Sequence, residues 1–538
     1  MRKKIVFEQK VIARIKKPDL IMGKKTNIKS IFPIICLIVQ FIACQTEGSK
    51  NSSFQIKQLE QAENNQDMEA IGSIFDDQAI MYTSDLMPVK GLKGIRSIYE
   101  FVFDRNELEK GEYRVDSTRR MEDQIFEYGR LFTKRMERDA IDQPFMAIFK
   151  PVKEAYKIAE ISFGNEADLK KELPNLIEPT GNYQIGLRNY FYDEKQSGNN
   201  RLLSFQVWYP TLSQSSEKMP FRCKTVVSHL SDFLELPPFA ISYFSEIESH
   251  TIWHASPISG TKFPVLIYNH GYGGFSQVYQ TVFEDLVSNG YIVVSIGHQD
   301  ESALLIKEDG EVISNRPENA FYAQRASELN STEIGQWQST ILSSDQTKDN
   351  SKAYLEMLKL TPLHNESTRL WASDTRTVLE KLADINTEGG QLSGIFDLEK
   401  MGIFGHSLGG ATAGQLSYGN TPFKAGINLD GFQFGDLFYQ QLKIPFLFVS
   451  SNPEGDRYLR ASNFINKSTK DGYQVSIQGF SHDNFTDLKY ITEGDSIAME
   501  LQRKLVKTFF DQYVKGLPER VENLEKEFEQ ITVRSSNL

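Results

Sequence analysis

The chain has 538 residues, 40% of them hydrophobic and 24% charged, with abundant Phe and Tyr. That is a globular composition too long for one ordinary domain, so two or three are expected. The net charge of −11 argues against nucleic acid as a partner.

The first 44 residues do not read as fold. Met22 to Lys29 is short and basic, and Ile31 to Ala43 is apolar but only 13 residues long, too short to span a bilayer comfortably. The run closes in Phe41-Ile42-Ala43-Cys44, a small residue before a cysteine. This resembles a bacterial lipoprotein signal, with Cys44 as the lipid-bearing first residue of the mature chain. Phe41 stands where an aliphatic residue is usual, and a start at Met22 would give the signal an ordinary length. The alternative is an uncleaved N-terminal anchor. The resemblance implies a bacterial cell-envelope protein held to a membrane through Cys44, and Gln45 next to it favours the outer membrane. Cys36 lies inside the signal, which leaves Cys223 alone and no disulfide within the mature protein. No Cys/His spacing suggests zinc, and no metal or cofactor is expected.

Gln45 to Ser53 is a polar tether. From Phe54, apolar residues fall at helical spacing (Ile56, Leu59, Ala62; Met68, Ile71, Phe75). A strand-like Ala79 to Tyr82 follows, then Pro88-Val89-Lys90-Gly91 and a helix near Ile95 to Phe103. Strand-like runs come next at Tyr113 to Ser117, Gln124 to Thr133, Phe145 to Lys150 and Tyr156 to Phe163. Helices followed by a meander give an α+β order. The runs Asp67 to Tyr82 and Pro88 to Ile95 resemble the NTF2-like (SnoaL/ketosteroid-isomerase-like) superfamily, which implies a cone over 54–163. Such a cone binds ligands, carries a catalytic acid or pairs with a second copy. Binding or dimerisation is the expected role, since no base and oxyanion donor can be placed in it from sequence. Residues 164–181 are charged, end near two prolines and read as a linker.

Residues 182–518 read as one α/β unit, with 519–538 as a C-terminal tail. Leu202 to Pro210 is a strand. Pro264 to Tyr268 is a buried strand leading into Asn269-His270-Gly271-Tyr272-Gly273-Gly274. A His-Gly-x-Gly loop there suits one half of an oxyanion hole; an ordinary tight turn is the alternative. His270 is given no acid–base role. A helix (Val278 to Asn289) and a strand (Tyr291 to Ile296) follow. Glu301 to Thr368 is a polar insert, helical in parts, of the kind that caps a site. Arg369 to Leu382 is a helix.

Met401 to Ala413 reads strand, then Gly405-His406-Ser407-Leu408-Gly409, then small helix formers. This is the G-x-S-x-G elbow, with Ser407 at the apex of a sharp strand-to-helix turn. The helix N-terminus points free N–H groups at developing negative charge. The pattern alone also fits a glycine-rich turn, so chain order must decide. The order for this chemistry is serine, acid, histidine. His482 is the only histidine after Ser407, in a loop after strand-like Gln474 to Gln478. Among the acids between them, Asp430 closes the apolar run Ala425 to Leu429, a position the sheet would fix. Asp436 follows Phe432-Gln433-Phe434-Gly435 and reads as a mobile, solvated loop charge. The backbone N–H groups of Tyr272 and Leu408 are the oxyanion donors.

These stretches, with Pro264 to Gly274, Ile427 to Gly431, Phe480 to Asp487 and Phe509 to Gly516, resemble the platelet-activating factor acetylhydrolase family of the plasma type. The resemblance covers residues 180–517 and implies an α/β-hydrolase with a mostly parallel central sheet. It also implies a calcium-independent serine esterase acting on phospholipids with a short or oxidised sn-2 acyl group, and it assigns nucleophile, acid and base to Ser407, Asp430 and His482. Asn269, Leu408 and Gln299 depart from the residues usual there (serine, phenylalanine and arginine). Related bacterial enzymes hydrolyse other short esters and polyesters. The reading from another class is a non-catalytic envelope lipoprotein that uses both domains for binding.

Overall fold

The structure is a computed structural model. It describes residues 54–536 except 84–85, 105–109, 122, 136–137, 154, 165–172, 194–200, 216, 235–240, 317, 330–331, 344–350, 452–460 and 494. The signal, Cys44 and the tether lie outside the described residues.

In the N-terminal domain, α1 (Phe54–Asn64) buries Ile56, Leu59 and Ala62, the residues spaced for one helix face. Helix α2 (Met68–Ile74) starts where the Asp67 carboxylate accepts from the N–H groups of Glu69 and Ala70. After β1 (Phe75–Thr83) and β2 (Leu86–Lys90), α3 (Leu92–Asp104) buries Ile95, Tyr99 and Phe103. Strands β3 (Lys110–Met121), β4 (Gln124–Arg135), β5 (Arg138–Val152) and β6 (Ala155–Phe163) complete a six-stranded sheet, β2-β1-β6-β5-β4-β3. Alternate residues (Ile125 and Leu131 on β4; Phe145, Ala147 and Phe149 on β5) face the helices. Lys90 of β2 pairs with Glu246 of the second domain at 2.6 Å, and Met87 packs on that domain's core.

The second domain carries a ten-stranded sheet with a parallel centre and antiparallel pairings towards both edges. Strands β7 (Gln184–Asp193), β8 (Leu202–Thr211) and β9 (Thr251–Trp253) form one edge, with α4 (Lys224–Phe233) between β8 and β9 in the chain. The centre is parallel: β11 (Ile292–His298), β10 (Phe263–Asn269), β14 (Phe396–His406), β15 (Phe423–Leu429), β16 (Phe446–Ser450) and β17 (Gly472–Ile477). Its strands are apolar on both faces, as a sheet covered by helices requires, and the short α11 (Ser462–Ile465) lies between β16 and β17 in the chain. Leu266 and Tyr268 of β10 enter the core with α5 (Gln280–Ser288) and α13 (Ser496–Phe510). Val265 and Ile267 enter the opposite core with α9 (Pro362–Thr387) and α10 (Leu408–Gln415).

Three boundaries differ from the sequence reading. Residues 519–538 are not a tail: a 3-10 turn at Val521–Lys526 and β18 (Ile531–Ser535) add an antiparallel edge strand to β17. Leu173 to Gly181 is not free linker either. Leu176 is buried in the second domain's core, Thr180 N–H and hydroxyl both donate to Asp285, and Arg503 donates to the Glu178 carbonyl. The insert does not end at Thr368, because α9 starts at Pro362, the favoured first position of a helix. Between β11 and α9 the insert folds as a hairpin, β12 (Leu304–Ile306) with β13 (Val312–Ser314). Helices α6 (Ala320–Glu328), α7 (Thr332–Ser343) and α8 (Ser351–Leu360) follow it.

Candidate active site

Ser407 sits between β14 and α10 with φ 55° and ψ −120°, a positive-φ conformation that L residues rarely adopt. The surrounding backbone holds it there: Ser407 N–H donates to Leu429 O at 2.8 Å. The two motif glycines permit the close packing. A Cβ on Gly409 would lie 2.0 Å from Asn269 O, and one on Gly405 would lie 2.3 Å from Gly409. The serine is thus wedged against the end of β10, where the His-Gly loop begins.

That loop lies directly over Ser407, since a Cβ on Gly271 would be 3.2 Å from Ser407 Cβ. The Tyr272 and Leu408 N–H groups bond no described residue, which leaves both free to receive an oxyanion. Asp430 follows the last residue of β15 directly, also at φ 55°. One carboxylate oxygen accepts from Ser451 N–H at 2.7 Å and the other from His482 Nδ1 at 2.7 Å. Asp430 is 9% exposed, whereas the His482 ring keeps 50% of its surface open. The covering of the other half of the ring opposes protonation, but the hydrogen bond and charge of Asp430 outweigh it, so His482 titrates above the ordinary imidazole value. Ser407 Oγ bonds no described residue.

His406, before the serine, packs its ring 4.4 Å from that of His482. Burial, then the nearby His482, holds its pKa well below the ordinary value. His270 is fully buried between the Gly271 carbonyl (2.6 Å) and Ser302 Oγ (2.7 Å), and burial followed by His298 pushes its pKa down to about 3. It is a neutral structural histidine. Asp436 is partly solvated, as expected of a loop charge, but it is held rather than mobile. Arg369 grips it with two guanidinium nitrogens (2.7 and 3.0 Å) and Gln415 Nε2 adds a third bond, because α9 runs beside its loop.

Residues 169–507 match the family model described as platelet-activating factor acetylhydrolase, isoform II. The chain belongs to this family. A platelet-activating factor acetylhydrolase of Bos taurus is 26% identical over 392 residues, covering 65% of this chain and 78% of that protein. That of Canis lupus familiaris is 25% identical, covering 58% and 68%. A ferulic acid esterase from Streptomyces cinnamoneus aligns with a TM-score of 0.50 at 20% identity, covering 67% of this chain and 99% of that structure. The fold is the α/β-hydrolase fold, and the chain is a carboxylic ester hydrolase.

Around this candidate site the acetylhydrolase-family fold also gathers residues that the sequence did not single out. The turn from His298 to Ala303 grips the His-Gly loop: Gly273 N–H donates to Glu301 O, Ala303 N–H to Gly274 O, and Ser302 Oγ meets His270. The Glu301 carboxylate accepts from Trp371 Nε1 at 2.7 Å and from Ser367, tying the loop to α9. From the insert, Tyr322 stacks on Tyr272 at 4.8 Å between ring centroids, and Tyr272 OH donates to the Tyr322 carbonyl. Behind the elbow, Gln433 Nε2 donates to Ala411 O of α10. No local pattern marks these residues, because each acts through a partner distant in sequence.

Proposed function

We propose that the chain is a serine esterase acting through an acyl-enzyme. Ser407 is the nucleophile, His482 the general base and then acid, Asp430 the group that fixes the imidazole tautomer, and the Tyr272 and Leu408 N–H groups the oxyanion donors. The observation that carries this reading is the 2.7 Å bond between Asp430 and His482 at the sheet edge that also bears Ser407. With Nδ1 donating to Asp430, Nε2 is the lone-pair nitrogen available to take the Ser407 proton. The carboxylate then offsets the charge on the imidazolium. Collapse of the oxyanion expels the alcohol with a proton from Nε2; water, activated by the same nitrogen, releases the acid.

The substrates we infer are short-chain acyl esters, foremost phospholipids with an acetyl or oxidised sn-2 group. This rests on the family and on the name of its relatives. A fluorophosphonate probe is expected to label the purified protein and not Ser407→Ala. An unlabelled wild type would favour the rival reading of a binding lipoprotein. On an ester panel from acetyl to palmitoyl, rates should fall steeply beyond a few carbons; equal rates on butyryl and palmitoyl esters would remove the short-chain assignment. Turnover of polyester particles in preference to phospholipid would move the substrate class instead.

Because the base must be neutral, kcat/KM should rise with pH through the raised His482 pKa. The midpoint is expected above the ordinary 6.5. A midpoint below that value would contradict the role given to Asp430.

We further infer a lipid anchor at Cys44 in a bacterial envelope, with the outer membrane favoured, and pairing of two copies through the N-terminal domain. Cys44→Ser should yield an unlipidated protein that leaves the membrane fraction. Sedimentation of the mature chain should give a dimer that loss of residues 54–163 abolishes.

A further inference from the structure

Arg222 and Asp487 take no part in the chemistry just described, yet each is almost fully buried, at 3% and 1% of side-chain exposure. Arg222 sits on a segment held in place by Phe221 N–H on Ile247 O and Arg222 N–H on Phe244 O. Its guanidinium donates through Nη1 to Gln280 Oε1 (2.7 Å) and the Phe221 carbonyl (2.6 Å). Through Nη2 it donates to the Gln277 carbonyl (2.6 Å) and Asp487 Oδ2 (3.3 Å). Gln277 and Gln280 belong to the run that leaves the oxyanion loop at Gly274 and enters α5. Asp487 opens α12 (Asp487–Glu493), five residues after His482. It accepts from Thr281 N–H at 3.3 Å, and its own N–H donates to Val278 O at 2.9 Å. One guanidinium therefore joins the backbone that follows the oxyanion loop to the helix that follows the base loop.

We propose that Arg222 and Asp487 are a positioning pair that holds the His482 loop in register with the oxyanion loop. The inference rests on the catalytic reading above. Burying two charges is expensive, and a matched apolar pair would hold two segments together equally well. What an apolar pair lacks is direction. The planar fork of Arg222 fixes two carbonyls and a carboxylate at set angles, which lysine or leucine cannot do. The strain of burial is visible in both groups: desolvation pushes Asp487 up to about 6 against the pull of Arg222, and Arg222 down to about 10. Between Asp487 and His482 the chain is a short 3-10 turn, His482–Phe485, with Phe485 buried in the core. A shift of Asp487 is thus passed to the imidazole with little slack, and misplacement by about 1 Å can cost on the order of 100-fold in rate.

The test uses the full mature chain with Asp487→Asn, which keeps shape and loses charge, and Arg222→Lys, which keeps charge and loses the fork. Active sites are counted by the end point of fluorophosphonate labelling, so unfolded protein does not enter the rate. Per labelled site, kcat should fall about 30- to 100-fold for Asp487→Asn and about tenfold for Arg222→Lys, with KM within about threefold. The labelling rate constant should fall in parallel, because it also needs His482 to take the Ser407 proton. A purely structural pair would lower yield and melting temperature but leave both per-site rates within threefold of wild type, which would overturn the proposal. If Asp487→Asn does not fold, the same criterion applied to Arg222→Lys decides it. A wild type that the probe does not label would instead sink the serine-esterase reading itself.

Discussion

Asp430→Asn should leave the fold intact and lower kcat by up to about 10⁴, the size of the effect in the serine-protease case, while Asp436→Asn should cost less than about tenfold. The contrast follows from what each carboxylate faces. Asp430 accepts two hydrogen bonds, from Ser451 N–H and from His482 Nδ1. The Ser451 donor is backbone and cannot reverse. An asparagine must therefore turn its carbonyl oxygen to Ser451 and present its NH₂ to the imidazole. His482 then has to offer the Nδ1 lone pair, which puts the ring proton on Nε2, the nitrogen that should receive the Ser407 proton. The variant fails through the tautomer as well as the lost charge. Its remaining activity should also lose the raised acid midpoint, since the upward pull on His482 comes from Asp430. Asp436 has Arg369 and Gln415 for partners and bonds no catalytic candidate. The pair is partly exposed (52% and 34%), so its loss should lower stability by at most about 1 kcal/mol. Per-site kcat for both variants, with circular dichroism as the check on folding, measures the contrast. The reverse ranking in two folded proteins would move the acid to Asp436.

What could be read beforehand was whatever the chemistry encodes locally. The elbow needs its glycines next to the serine, and Asp430 announces itself by ending an apolar run. His482 is the candidate base by elimination, as the only histidine after Ser407. The N-terminal domain was legible for a similar reason: its strands alternate, and its helices carry apolar residues three and four apart. What stayed hidden depends on partners far apart in the chain. Asp436 read as a mobile charge because Arg369 lies 67 residues before it. Arg222 and Asp487 are separated by 265 residues, and neither stands in a distinctive pattern. Strand β7 does not stand out in the sequence because its alternation is broken by Arg188 and Asn189, whose neighbours are supplied by the fold. Asn189 is buried, donating to the Lys307 carbonyl and accepting from Gln206. The same limit explains β18, whose sequence Ile531-Thr532-Val533-Arg534-Ser535 is too short and too polar to stand out from a tail.

That strand yields the other large effect. A chain ending at residue 518 should fail to give soluble, active hydrolase, whereas residues 173–536 should fold and keep full activity per labelled site. Strand β18 pairs with β17 from Tyr473 opposite Ser535 to Ile477 opposite Ile531, closing the edge of the parallel sheet. Further bonds frame it, Gln478 N–H to Gln530 O and Ser536 N–H to Gly472 O. Val521, Leu524 and Ile531 are buried in the core beneath. Removing three such aliphatic side chains forfeits about 5–9 kcal/mol at about 1.5–3 kcal/mol each, comparable to the roughly 5–15 kcal/mol that holds a typical domain together. The loss also bares β17 as an open edge, an invitation to aggregation, and β17 is the strand that delivers the His482 loop. At the other end, a start at residue 182 removes Leu176 and the Thr180 bonds to Asp285. That fragment should fold but melt several degrees lower than the one starting at 173. Soluble yield, thermal melting and per-site kcat on the three fragments measure the prediction. A soluble chain ending at 518 that melts with the wild type would mean that β18 contributes nothing the sheet requires.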